Sequence, residues 1–150
     1  MAHTYARLLL HLVFSTKGRR PLLDGALLER LVPYLGGVAK GVGASMLAAN
    51  GAADHLHVLA GLPTSLAVAD LARALKGGSS RWVHEIWPER RAFGWQEGYS
   101  AFSVSNSACA NVEAYIARQQ EHHRRSTFED ELRELLRLHG VKFDERYLWG

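Results

Sequence analysis

Cysteine is nearly absent from this chain. The one cysteine, Cys109, excludes an internal disulfide and any zinc site built from several thiolates. Its neighbours Ser107, Ala108 and Ala110 read as a helix start, so Cys109 is expected to be a small buried residue. No apolar run approaches the length that spans a bilayer. The stretch Leu8-Leu9-Leu10-His11-Leu12-Val13-Phe14 is short, contains a histidine and lacks a cleavage site of small residues. It is therefore not a secretory signal, and a cytoplasmic location with no membrane partner is expected. No repeat, low-complexity segment or linker interrupts the 150 residues, which predicts one domain over 1–150. Charge is weakly biased too, at +3.

Where the charge lies says more than its sum. Lys17, Arg19 and Arg20 form one basic cluster. Arg73, Lys76 and Arg81 form a second, around Gly77-Gly78. Arg118, Arg124 and Arg125 form a third, with His122 and His123 between them. Each alone reads as a solvated face. Three together point to a phosphate backbone as partner.

The order of periodicities predicts an α+β chain. Tyr5 to Ser15 reads as a buried strand. Asp24 can cap a helix to about Val42, with Leu27, Leu28, Leu31, Leu35 and Val38 on one side and Pro33 inside. Ala44–Ala49 and Asp54–Leu62 read as a hairpin turning at Asn50-Gly51. Ser65 can cap a helix from Leu66 through Trp87, interrupted near Gly77-Gly78. Gly98 to Ser105 alternates as a strand. Asn106 or Ser107 can cap a helix to about His123, and a last helix runs from Thr127 to His139 with Thr127 and Asp130 placed as a capping box. The first six elements read βαββαβ, the ferredoxin-like arrangement: an antiparallel four-stranded sheet, helices on one face, and further C-terminal helices.

Two segments can carry chemistry. In His55-Leu56-His57, residues i and i+2 of a strand share a face, so both imidazoles can reach one divalent ion while Leu56 enters the core. Asp54 can orient one of them. The alternative is a pair of partly exposed strand histidines. In Tyr115-Ile116-Ala117-Arg118-Gln119, a helix sets Gln119 on the Tyr115 face about 6 Å along the axis. Tyr115 is either a packing residue or a phenolate nucleophile. The second role needs a metal or cations, because a free phenol has a pKa near 10. Two imidazoles and a glutamine oxygen can hold a divalent ion; this set does not by itself select Mg²⁺, since imidazole suits Mn²⁺ or other transition metals better. Gln120 follows directly, and helix geometry turns it away from Tyr115. His11 on the first strand reads as a satisfied core histidine. Trp82, Trp87, Trp95 and Trp149 read as core or interface residues.

With these residues in hand, the chain resembles the single-tyrosine transposases of the HUH class, including the REP-associated tyrosine transposases. The likeness runs through His11–Lys17, Asp54–Leu59, Lys76–Trp82, Trp95–Tyr99, Phe102–Ser105, Tyr115–Gln119, Glu121–His123 and Arg146–Trp149. It implies cleavage and rejoining of single-stranded DNA beside hairpins through a 5′-phosphotyrosine. It carries the nucleophile onto Tyr115 and the Mg²⁺ or Mn²⁺ ligands onto His55, His57 and Gln119. It also implies a homodimer in which the tyrosine helix of one subunit often completes the other's site. Arg118 departs from the asparagine common in relatives. A domesticated relative that processes repetitive hairpins shares this chemistry. A nucleic-acid-binding module without catalysis is the contrasting class, though Gly98–Ser105 lacks the basic-aromatic signature of such sheets.

Overall fold

A computed structural model describes residues 2–150. Its elements are β1 (Leu8–Ser15), α1 (Gly25–Gly41), β2 (Ser45–Ala52), β3 (His55–Leu62), α2 (Val68–Ile86), β4 (Ser100–Val104), α3 (Cys109–Ala117), α4 (Gln119–His123) and α5 (Phe128–Leu138). The first six are the expected βαββαβ. They form an α+β fold with an antiparallel sheet in the order β2-β3-β1-β4. Among the described residues, no helix is long and apolar enough to cross a membrane.

Strand alternation splits the sheet into two interiors. Leu10, Leu12 and Phe14 of β1 and Leu56, Val58 and Ala60 of β3 face α1 and α2, where Leu27, Leu31, Leu35, Leu71 and Leu75 close the main core. The expected helical layer on one face is this one. The C-terminal helices cover the other face. There Val13 and Phe102 meet Phe128, Leu132 and Leu136, which recur every fourth residue along α5. Burying each of these three α5 side chains contributes roughly 2 kcal/mol.

Several local expectations change. The hairpin does not turn at Asn50-Gly51. β2 continues through that pair, Asn50 opposite His57 and Gly51 opposite Leu56, and the turn falls at Ala53-Asp54. The glycine answers a close approach instead: a Cβ on Gly51 would stand 2.2 Å from the His55 carbonyl oxygen. The α2 helix is uninterrupted at Gly77-Gly78. The α1 helix packs against it there, and the Tyr34 hydroxyl donates to the Gly78 carbonyl at 3.2 Å. The residue before α2 is Ala67, without a side-chain cap, so Ser65 does not act as one. The helix expected through His123 breaks at Arg118 (φ −100°, ψ 21°) into α3 and α4. Cys109, expected to be buried, is only half-buried at the start of α3, where its thiol lies 3.4 Å from Glu113. Neither Asn106 nor Ser107 caps α3: both lie in a short 3-10 turn, and the residue before the helix is Ala108, without a side-chain cap. The caps expected at Asp24 and Thr127 do form. Asp24 accepts from the Leu27 amide at 2.8 Å and Thr127 from that of Asp130 at 3.2 Å.

Candidate active site

The site lies on the sheet face covered by the C-terminal helices. Leu56 points into the main core, so His55 and His57 point the other way. Both are fully buried, which overturns the alternative of partly exposed strand histidines. Each ring is held by its Nδ1. His55 Nδ1 meets Asp54 Oδ1 at 2.8 Å, and the ring stacks on Phe128 with centroids 4.4 Å apart. His57 Nδ1 meets His11 Nε2 at 2.8 Å. With both Nδ1 atoms engaged, both Nε2 atoms face one point. This is how outer partners aim imidazole ligands at a metal.

Four side chains from the C-terminal helices gather around that point. Glu131, near the start of α5, sets Oε1 at 3.1 Å from His55 Nε2 and 3.0 Å from His57 Nε2. The Gln119 side-chain oxygen is 3.0 Å from His55 Nε2, and its amide nitrogen donates to Glu131 Oε2 at 3.1 Å. The Tyr115 hydroxyl donates to the same Oε2, and His122 Nε2 lies 3.2 Å from it. Tyr115 and Gln119 therefore meet at one carboxylate despite the break at Arg118. Gln120 is turned away, donating to Asn50 Oδ1 at 2.8 Å, while Asn50 donates to the Ile116 and Ala117 carbonyls at 3.1 and 3.2 Å. The β2 strand thus fixes the end of α3, and the register puts Gln119, not Gln120, against the histidines.

Electrostatics follow from the crowding. Burial opposes a charge on His55, but its bonds to Asp54 and Glu131 prevail and raise its pKa to about 9. Burial dominates at His57 and pushes its pKa down. Burial, reinforced by His57, lowers that of His11 to about 3. Burial would raise the Glu131 pKa, yet the bonds to His55 and His57 hold it well below the carboxylate range. The Tyr115 phenol is pushed above its usual value by burial and by the Glu131 bond and charge. Two imidazole nitrogens and a carboxylate oxygen at mutual reach form a group that could hold a metal ion. A proton donated from His57 Nδ1 to a neutral His11 would leave the His57 Nε2 lone pair free for such an ion. The donor set thus fits a divalent cation.

The basic residues divide. Arg118 is exposed at the rim, in a depression it shares with Tyr115, Glu121, His122 and Arg125. Arg73, Lys76 and Arg81 lie on α2, across the sheet from the site. Arg73 pairs with Asp70, Lys76 holds the Glu97 and Gly98 carbonyls at 2.6 and 2.9 Å, and Arg81 is exposed. Arg19 pairs with Glu129 and lies over Trp149, Arg20 reaches the Lys17 and Ala92 carbonyls, and Lys17 is exposed. Sequence reasoning missed Glu131. Its signal was a charge three residues after Phe128 and one before Leu132, inside the apolar stripe of α5. His11 is buried and satisfied as expected, but its partner is a site histidine.

The family model described as "Transposase IS200 like" matches residues 4–119, a span that contains both histidines, Tyr115 and Gln119. The chain belongs to the IS200-like transposases. Among relatives, the ISDra2 transposase TnpA of Deinococcus radiodurans is 28% identical over 116 residues, 74% of this chain and 83% of that protein. The transposase for insertion sequence element IS200 of Salmonella typhimurium is 29% identical over 127 residues, 81% and 82% of the two chains. A transposase candidate from Deinococcus radiodurans R1, known by crystal structure, is similar with a TM-score of 0.63 at 26% identity, covering 79% of this chain and 96% of the other. The REP-associated tyrosine transposase bound to a REP hairpin shares the fold, with a TM-score of 0.60 at 16% identity over 82% and 73% of the chains. IS200-like membership makes this a protein of a DNA-processing enzyme family.

Proposed function

We propose that this chain cuts and rejoins single-stranded DNA at hairpin-flanked sites, with Tyr115 as nucleophile. The observation that carries the reading is the meeting of the Tyr115 hydroxyl, the Gln119 amide and two histidine Nε2 atoms around one buried carboxylate. His55, His57 and Gln119 would hold Mg²⁺ or Mn²⁺, which when bound would polarise a non-bridging oxygen of the scissile phosphate.

The residues divide the remaining work. Asp54 and His11 fix the two imidazoles from behind. Tyr115 Oη attacks phosphorus and gives up its proton, the bond from phosphorus to the 3′-oxygen breaks, and that oxygen takes up one proton in exchange, directly or through solvent. The products are a 5′-phosphotyrosine and a free 3′-hydroxyl. In the reverse sense, a 3′-hydroxyl attacks the phosphotyrosine and frees the phenol, so one phosphodiester is exchanged for another without external energy. Burial and the Glu131 charge hold the phenol protonated, so the attack requires cationic help. Arg118 and Arg125 at the rim are placed to meet DNA phosphates. Lys17, Arg19, Arg20, Arg73, Lys76 and Arg81 are proposed to track the backbone further out.

A hairpin partner is supported by the fold shared with the hairpin-bound REP-associated protein. A binding module without catalysis is disfavoured, because burying this many polar and ionisable groups at one point is costly without a function to keep them. We further propose a cytoplasmic homodimer. Its shared sites would require an exchange of the Tyr115 helix, whereas here Tyr115 faces the histidines of its own chain.

The test is cleavage of a hairpin-bearing single strand in Mn²⁺. Wild type should nick it and form a covalent adduct, and Tyr115→Phe and His57→Ala should do neither. Cleavage by Tyr115→Phe at the wild-type rate would overturn the mechanism.

A further inference from the structure

The family match ends at residue 119, and the side chain at the centre of the site lies beyond it. Glu131 is 5% exposed. Its two oxygens face different partners. Oε1 stands between the two histidine Nε2 atoms, at 3.1 and 3.0 Å. Oε2 takes the Tyr115 hydroxyl and the Gln119 amide nitrogen. The second set of contacts fixes the carboxylate's rotation, and so aims Oε1 at the histidines.

We infer that Glu131 is itself a metal ligand, contributed by α5 of the same chain beside His55, His57 and Gln119. This rests on the metal reading above. Neighbouring ligands of an octahedral ion at about 2.1 Å lie about 3.0 Å apart. The spacings around His55 Nε2 match: 3.1 Å to Glu131 Oε1 and 3.0 Å to the Gln119 oxygen. A carboxylate also shifts the donor set toward Mg²⁺ and Mn²⁺, which two imidazoles alone do not favour. The same atoms can be drawn together by protons or by a cation, and metal binding to such groups releases those protons. The inference makes α5 part of the site. Phe128 packs on the His55 ring and, with Leu132 and Leu136, anchors the helix over Val13 and Phe102, so the backbone carrying Glu131 is held by the second core.

Mn²⁺ titration by calorimetry, on full-length protein stripped with chelator, tests this without activity. Wild type should bind one ion per chain and His57→Ala should lose the signal. Glu131→Ala should bind at least tenfold more weakly, and Glu131→Gln, which keeps the volume and a neutral oxygen, should fall between. Circular dichroism reports folding, and if Glu131→Ala does not fold, Glu131→Gln decides, with weakening expected. Wild-type or tighter affinity in the folded Glu131 variants, with His57→Ala still silent, would make Glu131 a competitor for the site and overturn the inference alone. Absent binding in wild type, or undiminished binding in His57→Ala, would overturn the metal reading and the inference together.

Discussion

The buried histidines should make the metal-stripped protein most stable near pH 6.5. His55 has its pKa raised to about 9 in the fold, against about 6.5 in an unfolded chain. The stabilisation it supplies is fully present below pH 6.5 and is lost as pH rises through 9. The difference corresponds to on the order of 3 kcal/mol. On the acid side the sign reverses. His11, lowered to about 3, and His57, also lowered, stay neutral in the fold. Below pH 6.5 the unfolded chain takes up protons that these two refuse, so stability falls with pH. Glu131 and Asp54, both held below the ordinary carboxylate range, add to the acid loss below about pH 4.5. Thermal melts in chelator from pH 4 to 10 should therefore peak near 6.5. Between 6.5 and 9.5 they should fall by roughly 6–12 °C, taking 2–4 °C per kcal/mol for a domain of this size. A flat profile across that alkaline range, or the same slope in a His55→Asn variant, would refute the reasoning.

Three further outcomes follow from particular contacts. Gly51→Ala places a methyl 2.2 Å from the His55 carbonyl oxygen; the strands must part, which should cost about 2–3 kcal/mol in urea unfolding and weaken Mn²⁺ binding. Arg118→Ala, at the exposed rim, should lower affinity for single-stranded DNA regardless of sequence and reduce the slope of log K against log salt by about 0.7. Mixing Tyr115→Phe with His57→Ala protein should restore no cleavage if each site is formed within one chain. Recovery after subunit exchange would show that α3 completes the partner's site.

Much of this was legible in the sequence for a physical reason. The βαββαβ order follows from switches between period 2 and period 3.6, and the chain obeys them. Leu56 between two histidines could enter the core only by sending both imidazoles to the opposite face. Tyr115 and Gln119 were readable as a helical pair, and they converge even though the helix breaks between them. What was not legible depended on tertiary approach. Asn50-Gly51 carries strong turn chemistry, yet the strand runs on, because Gly51 answers a backbone contact and Asn50 a contact with α3. Gly77-Gly78 read as a break, but α2 runs through the pair unbroken, with the Tyr34 hydroxyl of α1 bonded to the Gly78 carbonyl. Glu131 stands beside Glu129 and Asp130 in the first turn of α5, where acids are ordinary, and only the docking of α5 on the second sheet face turns it inward.

The central claim is that Tyr115 becomes covalently joined to DNA. Wild-type protein should be incubated with Mn²⁺ and a hairpin-bearing single strand, and the adduct digested and sequenced by mass spectrometry. The account predicts a nucleotide linked through its 5′-phosphate to the peptide containing Tyr115. Cleavage without an adduct, or an adduct on Tyr5, Tyr34, Tyr99 or Tyr147, would contradict it.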